Sequence, residues 1–253
     1  IVYGLQGSVG GVFRLTDVVR IPYLAPNGEM GSVAFWRLYK SGLLDSDYKD
    51  VHPLALAMYP QAVLHLVKKP NSILDLSGLK IVANSKMTGD IIQKLGGTPI
   101  SLLIQETYQG LQRRTVDGVI TGYPVITVFK FGEVAPFHVD AELGGGATMV
   151  AMAKAKWDKL PPAVQKLLDD NSGEALSRAY GAANDAEWVA GRNAAMAMKD
   201  QTIVVPTAPE DRAYQRALAP VAEDWVKDNP DGAAVLAKFR ALLSQAQAEA
   251  GQR

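Results

Sequence analysis

The side chains of this chain that could do chemistry are polar groups set just past apolar runs: Gln6, Ser8, Tyr59, Gln61, Asn84, Ser85, Thr121, Tyr123 and Thr148. Hydroxyls and amides of this kind orient a small molecule by hydrogen bonds, yet together they make no acid, base and nucleophile set. The histidines, His52, His65 and His138, are isolated in sequence and lack HExxH spacing, so they read as structural or surface residues. Neither a GxSxG elbow nor a GxxxxGK[ST] phosphate loop occurs. Gly4, Gly7, Gly10 and Gly11 follow a first strand without spelling GxGxxG, which favours a flexible turn over a dinucleotide site. Asp117-Gly118 reads as a turn before a strand, Glu106 as a residue suited to a helix N-terminus, and Arg113-Arg114 as a solvated helix end. Nothing in the sequence gives a sound basis for a metal, and no cofactor is expected. The inventory suits binding better than turnover.

Composition agrees. The chain has 253 residues, 48% of them hydrophobic and 21% charged, enough for one large or two modest domains with a sizeable core. Lysine plus arginine equals aspartate plus glutamate at 26 each, which argues against a broad nucleic-acid or anionic-membrane surface while leaving room for a single charged pocket. The absence of cysteine excludes disulfides, thiolate nucleophiles and cysteine-held metals. No apolar run approaches the roughly 20 residues of a membrane span. The chain opens on IVYGLQG, without Met and already strand-like, and no signal pattern stands there, so a missing N-terminal portion is expected.

The elements that must carry these polar groups alternate. Residues 1–5 read as a strand leading into the glycine-rich GSVGG, 31–43 as a helix and 52–59 as a strand. From 78 to about 150 strand and helix alternate: KIVAN (80–84), a helix over 87–97 ended by Gly96-Gly97, a strand at 98–103, a helix at 105–114, and a strand at 116–122. This is the signature of βαβ units with parallel pairing. ATMVAMA (147–153) is a further strand. Helical pattern then runs from Leu160-Pro161-Pro162 to about 198, either broken at Asn171-Ser172-Gly173 or continuous across two lobes. A strand at 202–206 and amphipathic helices at 209–228 and 231–248 close the chain.

Taken as a set, DLSGLKIVANSK, LGGTPISLLIQETYQGLQRRTVDG, KFGEV and ATMVAMAKAKWDKLPPAVQKLL, with IPYL (21–24) upstream, resemble the DctP-type solute-binding proteins of TRAP transporters over most of residues 1–240. The resemblance implies an α/β, two-lobed periplasmic-binding-protein-like fold with a long helix spanning both lobes. Residues 1–59 plus 148–187 would form lobe I, incomplete at its N-terminus, and 60–147 plus 188–253 lobe II. It also implies a non-enzymatic periplasmic receptor, exported by a signal peptide, that captures a small organic solute and hands it to membrane permease subunits. An α/β enzyme of unknown reaction, or a sensor without a transport role, would be the alternative.

The departures bear on the guest. The family usually sets an arginine directly after its LKGLK strand, where this chain has Val82, and often a second arginine near the position of Ala62. The family's VDGqeN asparagine falls near Thr121. A carboxylate clamp at Val82 cannot operate, and such a charge-assisted bond is worth about 1.5–3 kcal/mol. The expectations, in order, are a neutral or aromatic guest held by Tyr59, Gln61, Tyr123 and apolar walls; an anionic guest met by Lys86 and the backbone N–H groups of the following helix; or a sensor or orphan role. Gln6, Ser8, Tyr59, Gln61, Asn84, Lys86, Thr121, Tyr123 and Thr148 are the expected contacts.

Overall fold

In the computed structural model, which describes residues 1–252 apart from the side chain of Ser8, the chain builds two sheets in turn and returns to the first. It opens with β1 (Val2–Leu5), passes through two 3-10 turns, Gln6–Ser8 and Thr16–Arg20, and enters α1 (Gly28–Lys40). The Asn27 side chain caps α1 by accepting from the Met30 amide at 2.8 Å. After the short α2 (Asp45–Tyr48), strand β2 (Val51–Tyr59) runs along the first sheet, and four residues later β3 (Val63–Leu66) begins the second.

The second sheet is assembled from the βαβ stretch. Strand β4 (Lys80–Ala83), helix α3 (Lys86–Lys94), strand β5 (Thr98–Ser101), helix α4 (Ile104–Gln112) and strand β6 (Gly118–Thr121) follow as the periodicity predicts, with β4 parallel to both β5 and β6. Helix α5 (Tyr123–Val128) and strand β7 (Phe137–Val139) complete this excursion. Strand β3 lies between β6 and β7, antiparallel to each, and with a last strand, β9 (Thr202–Val204), the sheet order is β5-β4-β6-β3-β7-β9.

Strand β8 (Gly146–Ala153) then returns to the first sheet, where it sits between β1 and β2, antiparallel to both. Helices α6 (Lys154–Trp157) and α7 (Pro162–Asp170) precede the long α8 (Gly173–Ala197). The helical stretch breaks where Gly173 takes φ +80°, a conformation costly for any residue with a Cβ. Strand β9 (Thr202–Val204) adds to the second sheet parallel to β7, and α9 (Ala208–Asp228) and α10 (Gly232–Ala250) end the fold.

Three connections join the two sheets: the β2–β3 link, the β7–β8 link and α8. The links are stitched to each other, the Ala62 amide donating to the Gly144 carbonyl at 2.8 Å and the Leu143 amide to that of Ala62 at 2.9 Å. Helix α8 is pinned at both ends by close approach. A Cβ on Gly181 would fall 2.4 Å from the Gly28 carbonyl oxygen, and one on Gly191 would fall 2.8 Å from the Pro124 nitrogen. Between these contacts Asp185 accepts from the first amides of α1, Gly28 at 2.6 Å and Glu29 at 2.8 Å, while Asn184 Nδ2 donates to the Met58 carbonyl at 2.9 Å. The long helix thus serves as a pillar shared by both halves.

The C-terminal helices reach both halves as well. Helix α9 bonds Lys94 of α3 through Asp224 at 2.7 Å, whereas α10 lies along α1, with the Arg37 guanidinium gripping Glu249 at 2.8 Å. Sequence alone groups 188–253 with the second sheet; in the structure this stretch buttresses both, because the apolar faces of α9 and α10 close a core running from Val18 and Phe35 to Ile81 and Phe239. None of the described helices is long and apolar enough to cross a membrane.

Candidate binding cleft

Where the two links and α8 converge, a cavity of about 290 Å³ opens between the sheets, near the lower end of small-molecule sites. Its second-sheet side lies outside the carboxyl ends of the parallel strands β4 and β6, where α/β sheets generally hold ligands. Asn84 follows β4, Thr121 ends β6, and Thr88 lies in the first turn of α3. Ser85 caps that helix, its hydroxyl accepting from the Thr88 amide at 3.1 Å, and Thr88 Oγ1 donates to Asn84 Oδ1 at 3.0 Å. The rest of this wall is apolar: Pro124, Val125, Val128 and Phe129 of the α5 segment face Trp188 and Leu5.

The first-sheet side brings a charge. Arg20, the last residue of the Thr16–Arg20 turn, lines the cavity while only 8% exposed. Its guanidinium lies against Gly7 so closely that a Cβ there would sit 1.9 Å from Nη2. The glycine in the opening turn therefore makes room for a cation. Asp17 Oδ1 stands 3.1 Å from Nε, but out of line for a hydrogen bond, and Nε is left buried with no acceptor. Burial draws the guanidinium below its ordinary pKa, with Asp17 opposing the shift, and burial raises the Asp17 carboxyl. An arginine remains charged under such a shift. A buried cation with one misaligned partner is poised for an anion.

Tyr59 enters from the end of β2, and its hydroxyl lies 2.5 Å from that of Tyr3. Burial, with the hydroxyls of Tyr3 and Tyr180, raises its pKa, so it stays a neutral donor or acceptor. Glu187 and the buried Asn184 of α8 complete the lining.

Of the residues expected from sequence, the cavity takes Tyr59, Asn84 and Thr121. Gln6, Gln61, Tyr123 and Thr148 instead make hydrogen bonds inside the fold. Gln6 donates to the Tyr48 hydroxyl; Gln61 bonds the Gly144 amide at 2.7 Å and the Ala25 carbonyl at 3.3 Å, which makes it a brace of the two links. Tyr123 is fully buried and donates to Asp140, and Thr148 donates to the Gly4 carbonyl at 3.1 Å. Lys86 points to solvent, shared between Asp90 at 2.8 Å and Asp228 at 3.2 Å, outside this cavity. The side chain of Ser8 lies outside the described residues. Val82 is 2% exposed and packs with Leu111, Val119 and Phe131 in the second sheet's own core, while Ala62 lines the cavity.

Sequence reasoning missed Arg20, Thr88, Trp188 and the Pro124–Phe129 wall. No local signal marks them as cavity residues, since they lie in a 3-10 turn, a helix start, the interior of α8 and a short helix whose neighbours in space are remote in sequence. The usable signal was Gly7 within an otherwise unexplained glycine-rich turn.

Comparison with known proteins bears on this geometry. Residues 5–228 match the family of bacterial extracellular solute-binding proteins, family 7, DctP. The crystal structure of a TRAP solute-binding protein from Rhodoferax ferrireducens T118, in complex with copurified benzoate, superposes with a TM-score of 0.89 at 30% identity, covering 98% of this chain and 80% of that one. A 2,3-diketo-L-gulonate-binding periplasmic protein of Escherichia coli K12 is 32% identical over 166 residues, 64% of this chain and 49% of the relative. A TRAP periplasmic solute-binding protein from Roseobacter denitrificans with bound β-D-glucuronate shares the fold, with a TM-score of 0.79 at 20% identity over 94% of this chain and 79% of that one. The chain spans about half the length of the curated relatives it matches.

Proposed function

The chain belongs to the DctP family of bacterial extracellular solute-binding proteins, and on that premise we propose that it captures a small aromatic monocarboxylate between its two sheets, in the periplasm, for a TRAP-type membrane permease. The observation that carries the choice of guest is Arg20. One largely buried guanidinium with Asp17 as its ion-pair partner, lining a cavity walled by Phe129, Trp188, Pro124 and Val125, suits one carboxylate on a flat apolar body. The sequence alone favours a guest held without a fixed cation; Arg20 supplies that cation from the opposite side to Val82.

The benzoate found in the Rhodoferax relative supports the aromatic reading, and the diketogulonate and glucuronate relatives support the carboxylate. A polyhydroxylated acid is the lesser reading for this cleft, since its hydroxyls would meet Pro124, Val125, Val128 and Phe129 with few partners. Capture proceeds by closure of the halves about the stitched links and the α8 pillar. The role is that of a receptor, with no bond made or broken.

Calorimetric titration with benzoate, benzamide and glucuronate tests the reading. Benzoate is expected to bind at least about tenfold more tightly than either, the lost charge-assisted hydrogen bond being worth about 1.5–3 kcal/mol. Equal binding of benzamide, or tighter binding of glucuronate, would overturn the guest; no heat from any of the three would count against the receptor.

A further inference from the structure

Behind the cleft wall, the second sheet buries two of the three histidines side by side. His65 of β3 and His138 of β7 are paired across the strands, both wholly inaccessible, with their Nδ1 atoms 2.7 Å apart. The outer nitrogens are also engaged. His65 Nε2 lies 3.2 Å from the Thr121 carbonyl oxygen, and His138 Nε2 lies 2.8 Å from Gln201 Oε1.

Both outer partners are acceptors. A carbonyl oxygen can only accept. The Gln201 amide is oriented by its own nitrogen, which donates to the Gly132 carbonyl at 3.2 Å and the Lys199 carbonyl at 3.1 Å, so its oxygen must face His138. Each histidine therefore carries a proton on Nε2. A neutral imidazole with Nε2 protonated has a bare Nδ1. Two neutral rings would then press lone pair against lone pair at 2.7 Å. Satisfying every contact takes one further proton between the two Nδ1 atoms: three N–H protons on two rings, and a net charge of +1.

We propose that His65 and His138 form a buried proton-binding site that holds a single shared proton, and that this site is tied through the Thr121 carbonyl to the floor of the cleft. The surroundings admit one charge and not two. Asp140, on the link after β7, faces His138 and favours a proton there; Arg192 of α8 neutralises Asp140 at 2.8 Å. Tyr123 of α5 stands edge-on to both rings and donates to Asp140. Burial lowers the proton affinity of both rings, and the proximity of His138 lowers that of His65 further, which keeps the second added proton off. Loss of the shared proton leaves one of three contacts unsatisfied. Relieving it at His65 releases the carbonyl of Thr121, a residue that lines the cavity.

Nitrogen-15 NMR of the intact, histidine-labelled protein, with carbon-13 in the threonine carbonyls, tests the site without any guest, so its outcome is independent of the receptor reading. His52, stacked on Trp157 far from this pair, serves as an internal reference. Titrated across about pH 5 to 8, the interval in which histidines ordinarily change charge, the paired rings are expected to show three N–H protons at the acid end. One should be strongly deshielded, and a single transition should be shared by both rings and accompanied by a shift of the Thr121 carbonyl. In Gln201→Met, which removes the acceptor at His138 Nε2, a neutral pair can satisfy its remaining contacts, and the shared transition should move to lower pH. Two N–H protons throughout, four at the acid end, or separate midpoints for the two rings would overturn the proposal, as would an unmoved transition in a folded Gln201→Met.

Discussion

The two sides of the cleft do different work. The first-sheet side contributes a buried charge held in an irregular turn, Arg20 against Gly7, with hydroxyls from Tyr59 and Tyr3 nearby. The second-sheet side contributes strand-end amide and hydroxyl groups, the start of α3 and an apolar wall from the α5 segment. Family resemblance places an arginine on the second side, at the position of Val82, where the structure shows a packed core instead. The comparison teaches that a cation can line this cavity from the first-sheet side while Val82 belongs to the packed core of the second. Charge at a site is a property of the cavity, and one strand position does not report it.

The largest effect should follow from restoring the family's arrangement. Val82→Arg would push a guanidinium into the cluster of Leu111, Val119 and Phe131 with no anion present, and should cost about 3 kcal/mol or more in urea unfolding. Near-native stability with stronger benzoate binding would show that this side of the cleft readily accepts the charge.

The ends of α8 offer the next contrast. Gly181→Ala forces a Cβ against the Gly28 carbonyl and Ser32 Oγ, both at 2.4 Å, and should cost about 1–3 kcal/mol of stability with little change in intrinsic guest affinity. Gly191→Ala meets the backbone of Tyr123 and Pro124 instead, so it should displace the α5 wall and weaken binding as well as stability. Identical binding losses in both variants would erase the distinction between the two sides.

Acid should act through the second sheet. Burial holds His65 and His138 below their ordinary pKa of about 6.5. As pH falls through that value the unfolded chain takes up protons before the native one, so their contribution to stability is full above about pH 6.5 and declines below it. A native pair holding one proton where the unfolded chain holds two gives a slope of about 1.4 kcal/mol per pH unit. Unfolding series at stepped pH, compared with a His65→Leu, His138→Leu double variant, should show this slope shrinking in the variant; an equal slope would place the acid sensitivity elsewhere.

The smallest effect is expected at the apolar wall. Phe129→Ala removes part of a half-buried ring face and should weaken benzoate binding by about 1 kcal/mol, roughly fivefold. Benzamide should lose as much, because the wall does not sense charge.

Much of the fold was legible because its signals are local. Gly96 at φ +84° ends the turn after α3, and Gly173 breaks the long helical stretch where Asn171-Ser172-Gly173 suggested. What escaped was short and buried. All four residues of β3 and all three of β7 are buried, so neither shows the alternation that marks a half-exposed strand. Helix α5, YPVITV, is built from β-branched residues that favour strands, and its packing against α8 at Gly191 overrides that preference. In the cleft, Tyr59, Asn84 and Thr121 were visible as polar residues at strand ends. Gln61 and Tyr123 look the same in sequence, and only tertiary contact shows that the Gly144 amide and Asp140 already occupy them. Arg20 escaped for the converse reason: nothing near it in sequence points to a cavity.

The central claim is that Arg20 carries the recognition of a carboxylate. The measurement that addresses it most directly is a calorimetric cycle of wild type and Arg20→Met against benzoate and benzamide. The account predicts that Arg20→Met weakens benzoate by about 10- to 100-fold, leaves benzamide within a few-fold, and so abolishes the preference between them. A preference for benzoate that survives intact in a folded Arg20→Met protein would contradict it.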